Sequence, residues 1–167
     1  MTPDPPADVT VALAETADAE AIADLWVDLA ADQRQHGSHL LPEPNRTRVG
    51  ETMLKHVVSD TAFVARRDGA VVGFVTFGQE SERYRQDVTR GVVHNIYVES
   101  GHRGEGIGSG LLSAAEEALL ERGVDTLGLQ AMAVNDAARS FYRRHDYELH
   151  RVEFEKSAGS DSLTTTD

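Results

Sequence analysis

The stretch that most constrains this chain is RGEGIGSGLL, Arg103 to Leu112, with Gly104, Gly106, Gly108 and Gly110 on alternate positions. It follows an apolar run, VVHNIYV (Val92–Val98), and opens a helical pattern that stops at Gly123. That pattern puts Leu111, Leu112, Ala115 and Leu119 on one face. A glycine inside a helix costs about 1 kcal/mol relative to alanine, so four at a helix start need a physical reason. Three familiar loops fail on register. G-x-G-x-x-G meets Ser109 or Leu111 at its last position, a Walker loop lacks its lysine, and G-x-S-x-G meets Ile107 and Leu111 around Ser109. What remains is R-x-x-G-x-G (Arg103, Gly106, Gly108) between a strand and a helix. The first N–H groups of a helix are unpaired and carry the positive end of its dipole. Glycines let an anion approach them, and Arg103 adds a charge able to grip phosphate in two places. The segment therefore reads as a diphosphate-binding loop.

Around this loop the chain reads as one domain, 9–156, with a mobile Pro/Asp leader over 1–8 and a disordered tail over 157–167. VTVALA (Val9–Ala14) is a first strand. Helices follow, one with Ile22, Leu25, Trp26 and Leu29 on one face and one from about Arg46 to Val58 with Val49, Met53, Leu54 and Val57 inward. TAFVARRDGAVVGFVTFG is a hairpin turning at Asp68-Gly69. TLGLQAMAV is a later strand, Asn135 caps a short helix carrying Ala138, Phe141 and Tyr142, and YELHRVEFE closes the fold as a strand. The fold class is α/β (α+β), a mixed sheet with helices on both faces.

Composition excludes several functions. With 28 acidic and 16 basic residues the net charge is −12, which repels phosphate backbones and argues against nucleic acid as a partner. Only Lys55 and Lys156 are lysines, and high acidity with scarce lysine resembles proteins of salt-loving organisms. There are no cysteines, hence no thiolate nucleophile or Cys-based metal site. No run approaches the roughly 20 apolar residues of a membrane span, and the start lacks the features of a secretory signal. The expectation is a soluble, cytoplasmic protein with no metal.

NIYVESGHRGEGIGSGLL resembles the acetyl-CoA-binding core of the GNAT superfamily of N-acetyltransferases. NDAARSFYRRHDY resembles that family's second segment, N-x-x-A-x-x-x-Y followed by a turn. The element order matches over nearly the whole chain. The resemblance implies a mostly antiparallel sheet in which the strand ending at Val98 splays from Thr126–Ala131. It implies that the pantetheine arm of acetyl-CoA pairs with the backbone of Ile96, Tyr97 and Val98, in the manner of an added strand. The loop Arg103, Gly104, Glu105, Gly106, Ile107, Gly108 and Ser109 would hold the diphosphate, Asn135 would touch the pantetheine arm, and Tyr142 would lie beside the sulfur. Two residues depart from the family pattern. Glu105 brings a carboxylate into the loop that should point to solvent, and Asp146 replaces a turn glycine and would need the left-handed conformation.

On this reading the chain moves an acetyl group to a primary amine of a small molecule or peptide. Tyr142 is the candidate acid for the leaving thiolate. His94, read as sharing a strand face with Ile96 and Val98, is the candidate base, because a histidine titrates near the pH at which an amine must be deprotonated. Some relatives that acetylate arylalkylamines carry a histidine there, while others use a glutamate or ordered water. His36 and His39 read as part of a loop shaping the acceptor pocket. The alternatives are a CoA-binding regulatory module without catalysis, or an acyltransferase with another acyl group or an O-linked acceptor. A single C-terminal strand would leave a sheet edge for a second copy, so a homodimer is expected.

Overall fold

The computed structural model describes residues 4–81 and 83–159. Five strands, β1 (Val9–Leu13), β2 (Ala62–Arg67), β3 (Ala70–Gln79), β4 (Arg90–Val98) and β5 (Thr126–Leu129), form one sheet in chain order. Neighbours are antiparallel except β4 and β5, which are parallel. Four helices cover it: α1 (Ala19–Arg34), α2 (Arg46–Val58), α3 (Ile107–Glu121) and α4 (Asp136–Arg144). The β2–β3 hairpin turns where expected, with Asp68 and Gly69 both at positive φ (53° and 78°) as a two-residue turn of the favoured hand requires.

Each face of the sheet carries its own core. Ile107, Leu111, Leu112, Ala115 and Leu119 of α3 pack on Val75, Phe77 and Val93. On the other face Ile22, Leu25, Trp26, Val49 and Met53 of α1 and α2 pack on Val64, Phe74 and Tyr97. Burying each large apolar side chain contributes about 1.5–3 kcal/mol, which makes these two layers the main support of the fold. Within α2 the inward stripe is narrower than the spacing suggests: Val49 and Met53 are buried, but Leu54 is 41% exposed.

Two terminal features differ from expectation. Of the leader, Pro5, Pro6 and Asp8 touch the domain, with Asp8 paired to Arg67 (3.0 Å) and Val9 N–H donating to Pro6 C=O (3.0 Å); residues 1–3 lie outside the described residues. The expected closing strand at YELHRVEFE does not form. After α4, residues 148–155 pair with no strand of the sheet, which ends at β5. β5 is likewise shorter than its apolar run, stopping at Leu129. The disorder expected of the tail falls largely on 160–167, outside the described residues.

Candidate functional site

The site begins with a fault in β4. Its register with β3 jumps from Phe77↔Val93 to Thr76↔Asn95, so His94 is the extra residue of a bulge. A bulge bends its strand and sharpens the twist, and the consequence is visible at once. β4 pairs with β5 only from Arg90↔Thr126 to Val93↔Leu129, and beyond that point β4 is bonded to β3 alone. The splay implied by the resemblance is present, and the bulge is its physical cause.

The bulge also corrects the position of His94. Simple alternation puts it with Ile96 and Val98, which pack toward α3. Instead its ring lies on the α1–α2 face, 5.9 Å from that of His56 on α2. Tyr97, on the same face, packs against the α1–α2 core. Burial holds the His94 imidazole below the ordinary histidine value, so it is neutral and basic at pH 7.

Strand chemistry decides which backbone groups face the gap. Glu99 N–H donates to Val72 C=O of β3 (2.8 Å), and hydrogen-bonding direction alternates along a strand. Tyr97 therefore also bonds toward β3, and of the three residues expected to line the gap only Ile96 and Val98 present their backbone to it. The Val98 carbonyl is already taken, because Arg103 Nε donates to it (2.7 Å). The same guanidinium reaches Asp32 of α1 (3.2 Å) and lies over the Tyr97 ring. Arg103 thus ties the loop to β4 and α1 while its guanidinium stays at the cleft.

Behind it, Gly104 and Gly106 take φ of 81° and 87°, a left-handed backbone that bends the chain into α3. The first helical bond runs from Gly110 N–H to Gly106 C=O (3.0 Å), leaving the Ile107, Gly108 and Ser109 N–H groups at the helix start without an intrahelical acceptor. Gly110 serves a different end: a Cβ there would lie 2.6 Å from Pro5, which occupies its place. Glu105 turns away from the cleft to pair with Arg67 (3.0 Å), so its charge is compensated and does not oppose an anion at the helix start.

α4 completes the wall. Asn135 Oδ1 accepts from Ala138 N–H (3.2 Å) as a cap, leaving its amide nitrogen for a ligand. Tyr142 packs edge-on against Phe141 and Tyr147, and burial pushes its phenol up to about 12. It therefore keeps its proton at any working pH. Asp146 takes the left-handed conformation expected of it (φ 68°). One contact went unread in the sequence: His145 Nε2 lies 3.0 Å from Ser109 Oγ, pinning the end of α4 to the start of α3. Its signal in the sequence is the histidine of HDY, four residues after Phe141 in the turn that follows the helix.

His94, Ile96, Tyr97, Val98, Arg103, Gly104, Gly106, Ile107, Gly108, Ser109, Asn135 and Tyr142 all line one cleft of about 820 Å³. Asp32 and His36 from the end of α1 and its following loop close the far side; His39 turns outward to Glu155 (3.0 Å). Glu105, like His39, is absent from the lining. No group of three His, Asp or Glu side chains gathers in a metal-binding arrangement among the described residues, and no helix among them is long and apolar enough to cross a membrane. The cleft thus combines free amides at one end, exposed strand backbone along its side and a protonated phenol.

Comparison with known proteins agrees with this geometry. The acetyltransferase (GNAT) family matches residues 19–147. An acetyltransferase of Sodalis glossinidius is 32% identical over 90 residues, 54% of this chain and 58% of its own length. A GCN5-related N-acetyltransferase from Ralstonia eutropha superposes with a TM-score of 0.71 at 22% identity, covering 90% of this chain and 99% of its own. A predicted acetyltransferase of Clostridium acetobutylicum, solved with acetyl-CoA, gives 0.69 at 16% identity over 89% of this chain and 96% of its own. The chain belongs to the GNAT family of acetyltransferases. It spans somewhat over half the length of the Sodalis relative.

Proposed function

We propose that this chain transfers the acetyl group of acetyl-CoA to a primary amine of a small molecule or peptide, by direct attack of the amine on the thioester. The observation that carries the reading is the convergence of the β4–β5 splay, the open amides of α3, Tyr142 and His94 on one cleft. The donor's diphosphate would meet the Ile107, Gly108 and Ser109 amides, and its pantetheine arm would run along Ile96 and Val98. The Asn135 amide nitrogen would bond that arm. Proximity does most of the work, since holding amine and thioester together replaces a bimolecular encounter. His94 enters from the opposite face of the sheet and accepts the amine's proton, directly or through water. Tyr142, held protonated by its surroundings, donates to the departing sulfur. The Clostridium relative's acetyl-CoA supports the choice of donor, and a cytoplasmic setting goes with it.

The test is an acceptor screen with acetyl-CoA that reads free thiol, covering aminoglycosides, polyamines, amino acids and peptide N-termini. The reading expects amine-dependent thiol release with at least one class. Tight acetyl-CoA binding without release for any acceptor would instead favour a CoA-binding module without catalysis.

A further inference from the structure

One guanidinium occupies groups on two sides of the cleft. Arg103 Nε donates to Val98 C=O (2.7 Å), and Val98 is one of the two β4 residues whose backbone faces the gap beside β5. The Nη2 end of the same group reaches Asp32 Oδ2 in the last turn of α1 (3.2 Å). Both residues line the cleft, and neither is locked by burial: the Arg103 side chain is 48% and that of Asp32 45% exposed. Arg103 therefore bridges the strand along which the donor's arm would run and the far side formed by the end of α1.

The chemistry of a donor acts on both contacts. A pantetheine amide N–H that pairs with Val98 as an added strand competes for the carbonyl that Arg103 holds. A diphosphate at the start of α3 offers the guanidinium a stronger partner than one half-exposed carboxylate, since phosphate can be gripped in two places. Once Arg103 is drawn off, Asp32 is left without a counter-ion. Its place in the last turn of α1 makes the loss larger, because the negative end of the helix dipole also favours a cation there. The Tyr97 phenol reports the field at this spot. Burial raises it above its ordinary value, Asp32 and Asp28 add to the rise, and Arg103 opposes them. Without Arg103 the field is that of the two carboxylates, and it selects a positive charge. That charge is not the attacking nitrogen, because a carboxylate bonded to it would favour the protonated, unreactive form.

We propose that Asp32 is the acceptor-binding residue, that it selects an amine carrying a second positive charge, and that donor binding uncovers it by drawing Arg103 away. This rests on the acetyl-transfer reading and narrows its acceptor to diamines, polyamines and amino sugars with several amines. The net charge of −12 acts in the same direction by drawing cations toward the protein.

The experiment is calorimetry on the full chain with CoA, which fills the donor site without reacting. Putrescine, cadaverine and spermidine are the probes, with butylamine as the singly charged control. Each is titrated into empty and CoA-loaded protein at about 0.15 M salt, which screens bare attraction between CoA and amine. At least one probe should bind the loaded protein about tenfold or more tightly than the empty one, a coupling of ordinary size between two sites. Butylamine should show no such gain. Asp32→Asn should abolish the gain while CoA still binds. Arg103→Gln should uncover Asp32 from the start, so the empty variant should bind the probe about as tightly as the loaded parent, a gain that a merely structural Asp32 would not produce. Both side chains are half exposed, so circular dichroism should be unchanged in either variant. A protein that binds no CoA would overturn the acetyl-transfer reading and this proposal with it. CoA binding without any gain over butylamine, a gain that survives Asp32→Asn, or an empty Arg103→Gln variant no tighter than the empty parent would overturn this proposal alone.

Discussion

His94 of β4 and His56 of α2 face each other with ring centroids 5.9 Å apart, on the side of the sheet away from α3. The bulge at His94 creates this relationship by turning the side chain across the strand. Behind the pair, His56 Nδ1 lies 2.7 Å from Thr61 Oγ1. Burial lowers the proton affinity of both rings, and for His56 the neighbouring His94 adds to the effect. Two imidazoles so close resist sharing charge, so both stay neutral at pH 7 and His94 remains available as a base.

That pairing makes a pH prediction with a definite sign. The active form of His94 is the neutral one, and its pKa is lowered, so kcat/KM should be flat near neutrality. It should fall only as pH drops through a value below the ordinary histidine pKa of about 6.5. His94→Ala should flatten that acidic limb with a smaller loss of rate than removal of the Tyr142 hydroxyl, because water can substitute. His56→Ala should move the limb upward by admitting water beside His94. If the His94→Ala profile overlays the parent, the base is elsewhere.

Stability carries a second prediction, centred on Asp18. This carboxylate is buried at the entry to α1, accepts from Glu15 N–H (2.8 Å) and pairs with Arg66 of β2. Burial acts to raise its pKa, but the Arg66 hydrogen bond, the Glu15 amide and the charge of Arg66 together outweigh that and leave it lowered. A lowered carboxyl stabilises the folded state above the unfolded pKa of about 3.9, and the contribution is lost as pH falls through the folded value. Asp18→Asn should cost about 1–3 kcal/mol at pH 7, in the range for a disrupted buried hydrogen bond to a charged group. In denaturant titrations the gap between parent and variant should begin to narrow below the unfolded value of about 3.9 and close as pH falls through the lowered folded value. A gap that persists unchanged to pH 2 would remove Asp18 from the account.

The glycine loop yields a third. A Cβ at Gly108 would lie 3.4 Å from the Phe141 ring and 3.8 Å from Val98, so a larger side chain pushes α4 from the cleft. Gly108→Val should weaken acetyl-CoA binding at least about tenfold, about 1.4 kcal/mol, with far-ultraviolet dichroism retained. Calorimetry giving the parent's affinity in a folded variant would mean the diphosphate binds somewhere else.

How much of this was legible beforehand follows from what sequence patterns encode. The loop, the Asn135 cap, the Tyr142 helix and the left-handed Asp146 were readable because each depends on local backbone chemistry. The face of His94 was not, since a bulge breaks the alternation by which strand faces are inferred. Arg103 was legible as the cation of the loop, but its pairing with Asp32, 71 positions away, was not. Gly110 likewise looked like part of an anion cradle, though its reason is Pro5, far off in the chain. The missing closing strand has the same origin: YELHRVEFE has strand chemistry, but pairing needs a neighbour that the described chain does not provide.

The most direct test is the turnover of Tyr142→Phe at saturating acetyl-CoA and acceptor, beside its acetyl-CoA affinity by calorimetry. Phenylalanine keeps the ring against Phe141 and Tyr147 and removes only a hydroxyl that burial holds protonated. General-acid assistance is typically worth 10²–10⁴-fold, so kcat should fall by about that factor while the Kd for acetyl-CoA stays within about twofold of the parent. A variant that keeps most of its turnover would contradict the assignment of Tyr142 as proton donor to the leaving thiolate.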